Sequence, residues 1–215
     1  MTNYPPYRIE TEHLVIRCWN PKDSYLFHEA IFNNIEHLKQ YMPFIKREPL
    51  EIEDRIETLR RFRSNFDSSK DFVFGIFNKA ETKVLGSTGL HTKPGKYGFE
   101  IGYWIIQSEC NKGIATEAVK ALLFAGFNVL DIDRIELFCN PENIYSRKIP
   151  KKLGFTHEVT RKRINTTFDN EFRDSMIWVL FRDEYIKNLI NYKINQKCFD
   201  ALDREIKIIY DDAET

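Results

Sequence analysis

Residues 99–118, FEIGYWIIQSECNKGIATEA, decide the fold of this chain. The apolar run from Phe99 to Ile106 predicts a strand, and the small residues Gly113 and Ala115 stand where a helix begins. The first turn of such a helix has amide N–H groups without intrahelical partners and lies at the positive end of the helix dipole. The segment therefore predicts a cradle for a pyrophosphate that needs no lysine.

The same segment has a simpler interpretation as ordinary turn chemistry. A single Gly-x-Ala at the start of a helix is common in proteins. It also lacks the three spaced glycines of a dinucleotide-binding fingerprint, because Gly113 stands alone. The other segments of the sequence are needed to distinguish an ordinary turn from an anion-binding site.

Four other segments accompany residues 99–118 in order along the chain. They are Tyr41-Met42-Pro43-Phe44, Arg134-Ile135-Glu136-Leu137, Asn140-Pro141-Glu142-Asn143 running on to Ser146, and Lys152-Leu153-Gly154-Phe155. With residues 99–118 they resemble the GNAT superfamily of acetyl-coenzyme A-dependent N-acetyltransferases, and most closely its ribosomal-protein alanine N-acetyltransferases. The resemblance covers roughly residues 7–185.

This resemblance implies an α/β (α+β) fold with a mixed, mostly antiparallel sheet of about seven strands flanked by helices. We assign residues 1–185 to the N-acetyltransferase (GNAT) domain and residues 186–215 to a C-terminal helical extension. Apolar residues near the C-terminus recur roughly at helical spacing. They are Tyr185, Ile186, Leu189, Ile190, Phe199, Leu202, Ile206 and Ile209. These residues pack on their own domain, form a homodimer contact or wall the acceptor site; the pattern leaves the three open.

Local patterns predict the helices and their ends. Asp23 precedes a helix around Ser24–Asn34 and is a candidate cap for it. A second, amphipathic helix is predicted around Ile52–Phe62. Asn143 is placed to cap a later helix, and Gly154 to end it.

The composition excludes several classes of protein. Lys plus Arg and Asp plus Glu both number 32, so the net charge is near zero and nucleic acid is not an expected partner. No apolar run is long enough to span a membrane. The four cysteines form no Cys-x-x-Cys pair and the five histidines form no zinc motif, so no metal is expected. With no signal-like N-terminus, a cytoplasmic location is expected.

The resemblance implies that acetyl-CoA is the cosubstrate. The residues assigned to it are Trp104, Ile105, Ile106, Asn111, Lys112, Gly113, Ile114, Ala115, Thr116 and Asn143. Asn143 is expected to bond the pantetheine arm in addition to capping, and the backbone of Trp104 and Ile105 to supply further contacts and an oxyanion donor. Cys110 and Asn111 depart from the family's usual residues, so backbone amides are expected to carry more of the pyrophosphate.

Acetyl transfer to an amine requires a proton for the leaving thiolate. Ser146 corresponds to the serine of the family's Asn-x-x-Ser motif, whose hydroxyl serves the coenzyme A sulfur. Tyr145 is the neighbouring alternative, and a hydroxyl bonded to nearby backbone is the purely structural one. Pro150 removes the N–H that would bond the Ser146 carbonyl, which predicts a kink or a tightened turn there.

The reaction also requires a base that takes a proton from the ammonium group. Glu100, at the head of the strand that enters the cradle, is our candidate. His91 is the competitor, because imidazole is the side chain that ordinarily titrates near neutrality. The structural alternatives are a solvent-facing glutamate and a loop histidine.

The sequence thus predicts an N-acetyltransferase that moves the acetyl group of acetyl-CoA to a primary amine by direct attack. The acceptor is a protein N-terminus or a small amine such as a polyamine, an amino sugar or an antibiotic. A non-catalytic acyl-CoA sensor is the alternative outside enzymes. Loops around the pocket select the acceptor, and the sequence does not identify it.

Overall fold

The computed structural model describes residues 4–92, 97–196 and 206–209. The strands are β1 Arg8–Glu10, β2 Leu14–Cys18, β3 Phe72–Asn78, β4 Val84–His91, β5 Gly98–Ile105, β6 Arg134–Cys139, β7 Thr156–Thr166, β8 Phe172–Phe181 and β9 Lys207–Ile209. The helices are α1 Ser24–Phe32, α2 Ile35–Leu38, α3 Ile52–Asp67, α4 Ile114–Phe124, α5 Ile144–Lys152 and α6 Arg182–Gln196.

The described strands form one sheet in the order β7-β8-β6-β5-β4-β3-β2-β1-β9. Neighbouring strands are antiparallel except β5 and β6, which run parallel. The mixed, mostly antiparallel sheet is therefore confirmed. Its described part has nine strands instead of about seven, because β1 and β9, each of three residues, add to one edge.

The described residues of the C-terminal segment include both a helix and a strand. Helix α6 begins at Arg182, before the predicted extension, and runs to Gln196. Residues 207–209 form β9, which pairs antiparallel with β1, so the prediction that Ile209 lies on a helix is wrong. The edge of β1 offers unpaired backbone groups, and a short strand satisfies them. Phe199 and Leu202 lie outside the described residues.

Apolar side chains cover both faces of the central strands. Helix α4 packs on one face, where Ala118 and Ala121 are fully buried. Helices α1 and α3 cover the other face, where Phe27 and Leu59 are buried with Trp19. Because α4 is packed along its length, its first turn is held at a fixed position beside the end of β5.

Strands β5 and β6 separate toward their C-terminal ends. Their pairing runs from Gly98↔Arg134 to Ile101↔Leu137 and then stops. Strand β5 continues to Ile105, bonded to β4, and β6 continues to Cys139, bonded to β8. The sheet therefore opens between the two strands at the end nearest α4.

Asp23 stands at the N-cap position of α1, but the prediction that its side chain caps the helix is wrong. Asp23 makes no side-chain capping bond to α1. The carboxylate oxygen Oδ2 of Asp23 accepts one hydrogen bond from the Asn20 amide at 2.9 Å. The same oxygen accepts a second one from the Arg17 guanidinium at 2.8 Å. A short 3-10 turn at Pro21–Asp23 precedes α1, and Asp23 completes the capping box of that turn.

Among the described residues, no helix combines the length and apolar composition needed to cross a bilayer. Within the same residues, no group of three or more His, Cys, Asp or Glu side chains is arranged to hold a metal ion.

Candidate active site

The loop between β5 and α4 forms an open cradle of backbone amides. Asn111 and Gly113 have left-handed backbone conformations, with φ of +63° and +88°, immediately before α4 begins at Ile114. Gly113 is the N-cap residue of α4 and has no side chain, so no side-chain group of the N-cap bonds the amides of the first turn. A Cβ built on Gly113 meets no atom within 4 Å, so the space beside it is open. Alternating left-handed residues before a helix turn successive amides inward, which is the geometry of an anion-binding nest.

A cleft of about 570 Å³ joins this cradle to the opening between β5 and β6 and to the start of α5. All but two of the residues predicted to bind the cosubstrate line it. They are Trp104, Ile105, Asn111, Gly113, Ile114, Ala115, Thr116 and Asn143. Ser146 and Tyr145 line the same cleft. The amide cradle at Gly113 and Ser146, the predicted acid, therefore line the same cleft.

Ile106 and Lys112 do not line this cleft. Ile106 is buried among apolar side chains, and its amide donates to the carbonyl of Leu85 at 2.9 Å. The ammonium group of Lys112 lies 3.0 Å from Glu109 Oε2. Lys83 lies on the other oxygen of Glu109 at 2.9 Å, and these two lysines lower the pKa of that carboxyl. The side chain of Lys112 is therefore engaged with Glu109, and only its backbone is placed for the cradle.

Cys110 is a neutral thiol at the rim of the cleft. Its sulfur lies 3.5 Å from the carbonyl oxygen of Ile106 and 3.6 Å from His37 Nε2. Burial raises the pKa of this thiol. A neutral side chain here adds no charge to the cradle, which agrees with the expectation that backbone amides bear the anion.

Asn143 caps α5 as predicted. Its Oδ1 accepts a hydrogen bond from the amide of Ser146 at 3.0 Å. No partner for Nδ2 is found in the described part of the chain, so the amide nitrogen still has donors to offer in the cleft. One side chain can thus cap the helix and bind a ligand carbonyl at the same time.

We expect Asn143→Ala to lower the free energy of unfolding by about 1 kcal/mol, because a capping bond is lost. We also expect the KM for acetyl-CoA to rise, since the free donor is lost with the cap. Chemical denaturation and steady-state kinetics measure the two effects. Asn20→Ala is the matched control, because Asn20 Oδ1 bonds the Lys22 amide at 2.9 Å outside the cleft. If both variants leave the KM unchanged, Asn143 has only the structural role.

The hydroxyl of Ser146 faces a second hydroxyl that the sequence reading missed. Ser146 Oγ lies 2.8 Å from the phenol oxygen of Tyr103. Burial raises the pKa of that phenol, and the bond to Ser146 offsets part of the effect. Tyr145, by contrast, is 58% exposed. The alternation of strand residues could have indicated that Tyr103 points inward, because it lies on the same face of β5 as the buried residues Phe99 and Ile101.

The two candidate bases are neighbours on the sheet. Glu100 of β5 lies directly opposite His91 of β4, so both side chains project from the same face. Neither lines the cleft of about 570 Å³. Glu100 precedes Tyr103 by three residues, about 10 Å along an extended strand. A proton path from the cleft to Glu100 therefore requires intervening water.

His91 has a fixed orientation. Its Nδ1 lies 2.8 Å from Asp71 Oδ1. A carboxylate only accepts, so Nδ1 carries the proton and Nε2 of the neutral ring is an acceptor. The ring lies over the paired residues Gly89 and Gly102, where an added Cβ would come within 2.9 Å and 3.1 Å of it. Glycine at both positions makes room for the imidazole.

One side of the cleft is built from a loop that is bonded to β8. Tyr41 and Met42 line the cleft, and Phe44 packs against Trp104 with ring centroids 6.2 Å apart. The Arg173 guanidinium donates twice to the carbonyl of Tyr41, at 3.2 Å each. The position of this aromatic loop thus depends on β8.

A second cleft, of about 600 Å³, lies on the other side of the α4 N-terminus. Gly113 and Thr116 line both clefts. Three lysines that were not among the residues predicted to bind the cosubstrate line the second one. They are Lys120, Lys151 and Lys152. Tyr185, Asn188 and Leu189 of α6 form part of its wall, so the C-terminal segment contributes to the surroundings of the cradle.

Comparison with known proteins agrees with this geometry. The sequence model of the acetyltransferase (GNAT) domain matches residues 13–156. The uncharacterized N-acetyltransferase YnaD of Bacillus subtilis is 27% identical over 82% of this chain and 98% of its own length. The [ribosomal protein uS5]-alanine N-acetyltransferase of Escherichia coli is 24% identical over 83% and 93% of the two chains.

A solved structure has the same fold. The ribosomal L7/L12 alpha-N-protein acetyltransferase RimL, in complex with coenzyme A, superposes with a TM-score of 0.73 at 18% identity, over 81% of this chain and 97% of RimL. The matched residues contain the opening of the sheet and the amide cradle. This chain belongs to the GNAT acetyltransferase family.

Proposed function

We propose that this protein transfers the acetyl group of acetyl-CoA to the α-amine of a protein N-terminus by direct attack. The observation that carries the proposal is the cleft of about 570 Å³, in which an open amide cradle, a separated strand edge and Ser146 meet. The acceptor class rests on two relatives, one named for the alanine of a ribosomal protein and the other for an alpha-N-protein activity. Ribosomal proteins are made in the cytoplasm, where we place the enzyme.

Acetyl-CoA fits the residues of this site. It supplies an acetyl group activated as a thioester. The first-turn amides of α4, opened by Gly113, would hold the pyrophosphate. Asn143 Nδ2 and the free edge of β5 at residues 102–105 would bond the pantetheine amides. Lys120, Lys151 and Lys152 of the adjoining cleft bring positive charge close to the phosphates.

We assign the proton transfers to two places. Ser146, inside the cleft, gives a proton to the leaving sulfur. Glu100, with His91 opposite it, receives the proton of the ammonium group through water. The two groups lie on different elements, so removal of one leaves the other in place and their effects are measurable separately.

We expect Glu100→Gln to lower kcat/KM by about tenfold at neutral pH, because a general base contributes at least that much. Part of the loss should be recovered at high pH, where the free amine is abundant without a base. A pH–rate profile measures both effects. A profile that matches the parent enzyme throughout would remove Glu100 from the mechanism.

His91→Ala is the companion variant. If Glu100 is the base, the His91 variant should not show recovery at high pH. If instead His91→Ala shows the loss and the recovery while Glu100→Gln does not, the Asp71–His91 pair is the base. Asp71→Asn then gives the same profile as His91→Ala, because it removes the group that orients the ring.

The acceptor is tested with a panel of amines and release of free coenzyme A as the readout. Short peptides that begin with Ala or Ser are compared with polyamines, amino sugars and aminoglycosides. We expect turnover with the peptides, and mass spectrometry should place the acetyl group on the α-amine. Turnover with small amines alone would overturn the protein acceptor. Binding of acetyl-CoA without turnover on any amine would favour an acyl-CoA sensor.

A further inference from the structure

Two hydroxyl groups meet at the bottom of the cleft. Tyr103 extends from the part of β5 that lies beyond the last β5–β6 pair, and Ser146 is in the first turn of α5. Their oxygens are 2.8 Å apart, and both residues line the cleft. The Ser146 amide is already bonded to Asn143, so the backbone of this serine is fixed. The bond to Tyr103 is the contact that orients the Ser146 hydroxyl.

We propose that Tyr103 is a positioning residue that donates its phenol hydrogen to Ser146 Oγ and so directs the serine proton into the cleft. The proposal rests on the proposed function and specifies how its acid is oriented. Tyr103 does not touch the reacting atoms in this scheme. It acts through Ser146 alone.

The direction of the hydrogen bond follows from the surroundings of the phenol. The Tyr103 ring packs against the main core, and Ser146 Oγ is the hydrogen-bond partner found for its hydroxyl among the described residues. Burial raises the pKa of Tyr103, so the phenol stays protonated at neutral pH. The hydroxyl is part-buried, and an O–H there that lacks an acceptor costs free energy, which favours donation to Ser146.

The reaction strengthens this bond. As the C–N bond forms and the C–S bond breaks, the electron pair of the C–S bond stays on sulfur. The Ser146 O–H bond breaks and an S–H bond forms, and negative charge develops on Ser146 Oγ. A hydrogen bond to a charged acceptor is roughly twice as strong as a neutral one. The ammonium group loses its first proton to Glu100, and the nitrogen loses a second proton to water as the amide forms. Serine then takes this second proton back from water, so that the protons balance.

Because the gain occurs only as the charge develops, Tyr103 should affect turnover more than binding. We expect Tyr103→Phe to lower kcat by about tenfold with little change in the KM for acetyl-CoA. Phenylalanine keeps the ring, so the packing is retained. Tyr7→Phe is the matched control, since it removes a phenol bonded to Asp67 at 2.9 Å away from the cleft. It should leave kcat unchanged.

A double-mutant cycle gives the decisive result. If Tyr103 acts through Ser146, Tyr103→Phe should have no further effect on kcat in a Ser146→Ala background. If the two effects multiply instead, Tyr103 acts independently, and the proposal is overturned. An unchanged kcat in the single variant Tyr103→Phe would overturn it as well.

A second measurement covers the case in which Tyr103→Phe does not fold. A fluorinated tyrosine placed at position 103 keeps the ring and hydroxyl but lowers the pKa of the phenol. We expect kcat to fall at high pH, where the phenolate no longer donates, and a profile like that of the parent would contradict the assignment. Absence of turnover in the parent protein would overturn the proposed function and this assignment together. Turnover in the parent with an insensitive Tyr103 would overturn this assignment alone.

Discussion

Gly113→Val is expected to abolish acetyl-CoA binding while the protein stays folded. Gly113 has φ of +88°, which a β-branched residue rarely adopts, and its missing Cβ leaves the cradle open. We expect the Kd to rise by about a hundredfold or more, because losing one charge-assisted hydrogen bond costs about 1.5–3 kcal/mol and each 1.4 kcal/mol is tenfold. Calorimetry measures the affinity. Circular dichroism and thermal unfolding check the fold.

Gly113→Asn separates the two causes of that loss. Asparagine tolerates the left-handed conformation better than valine, yet it also fills the space beside the amides. Loss of binding in both variants would identify occlusion of the cradle as the cause. Retained binding in the asparagine variant alone would identify backbone strain. Unchanged affinity in a folded Gly113→Val protein would remove the cradle from the binding site.

Ser146→Ala should lower kcat by about ten- to a thousandfold, the range for loss of one proton-transfer or oxyanion group. The affinity for acetyl-CoA should change little, because the Ser146 amide keeps its bond to Asn143. Single-turnover kinetics and calorimetry measure the two quantities. Thiol release at an undiminished rate would exclude Ser146 as the acid.

Tyr145→Phe is the control for Ser146→Ala. The Tyr145 side chain is 58% exposed and lies beside Ser146 on the rim of the same cleft. We expect a change in kcat of about twofold or less. An exposed hydroxyl already forms hydrogen bonds with water, so removing it costs the transition state little free energy. A severe Tyr145→Phe with a mild Ser146→Ala would assign the acid to the tyrosine.

Features encoded in contiguous residues could be predicted from the sequence. The cradle at Gly113, the cap at Asn143 and the end of α5 at Gly154 each depend on backbone preferences within a few positions. The helix at Ile52–Asp67 follows from its apolar spacing. The family resemblance then supplied the mixed, mostly antiparallel sheet.

Features that depend on distant partners could not be predicted. Strand β9 exists through its pairing with β1, about two hundred positions away in the chain, and three residues carry too little pattern. Asp23 turns away from α1 because Arg17 and Asn20 compete for its carboxylate. The register that places His91 opposite Glu100 is likewise set by the whole sheet.

Some features of the candidate site could be predicted from the sequence, and others could not. Residue types and spacing indicated which segments line the cleft, but not which side chains point into it. Lys112 is drawn to Glu109, and Tyr103 meets Ser146 across 43 positions of sequence. The partner of Tyr103 comes from another part of the fold, whereas Glu109 is a local neighbour of Lys112 that also contacts Lys83. The position of the loop that contains Tyr41 depends on the bonds from Arg173 to the Tyr41 carbonyl, which join residues 132 positions apart.

The first turn of α4 is a wall common to two clefts, through Gly113 and Thr116. A molecule long enough to occupy both is anchored at two ends, and each end raises the effective concentration of the other. A short acetyl thioester that fills only the first cleft has no such anchor. We expect the protein to ignore acetylated thiols of small size in the cell and to draw its acyl groups only from a carrier with a nucleotide tail.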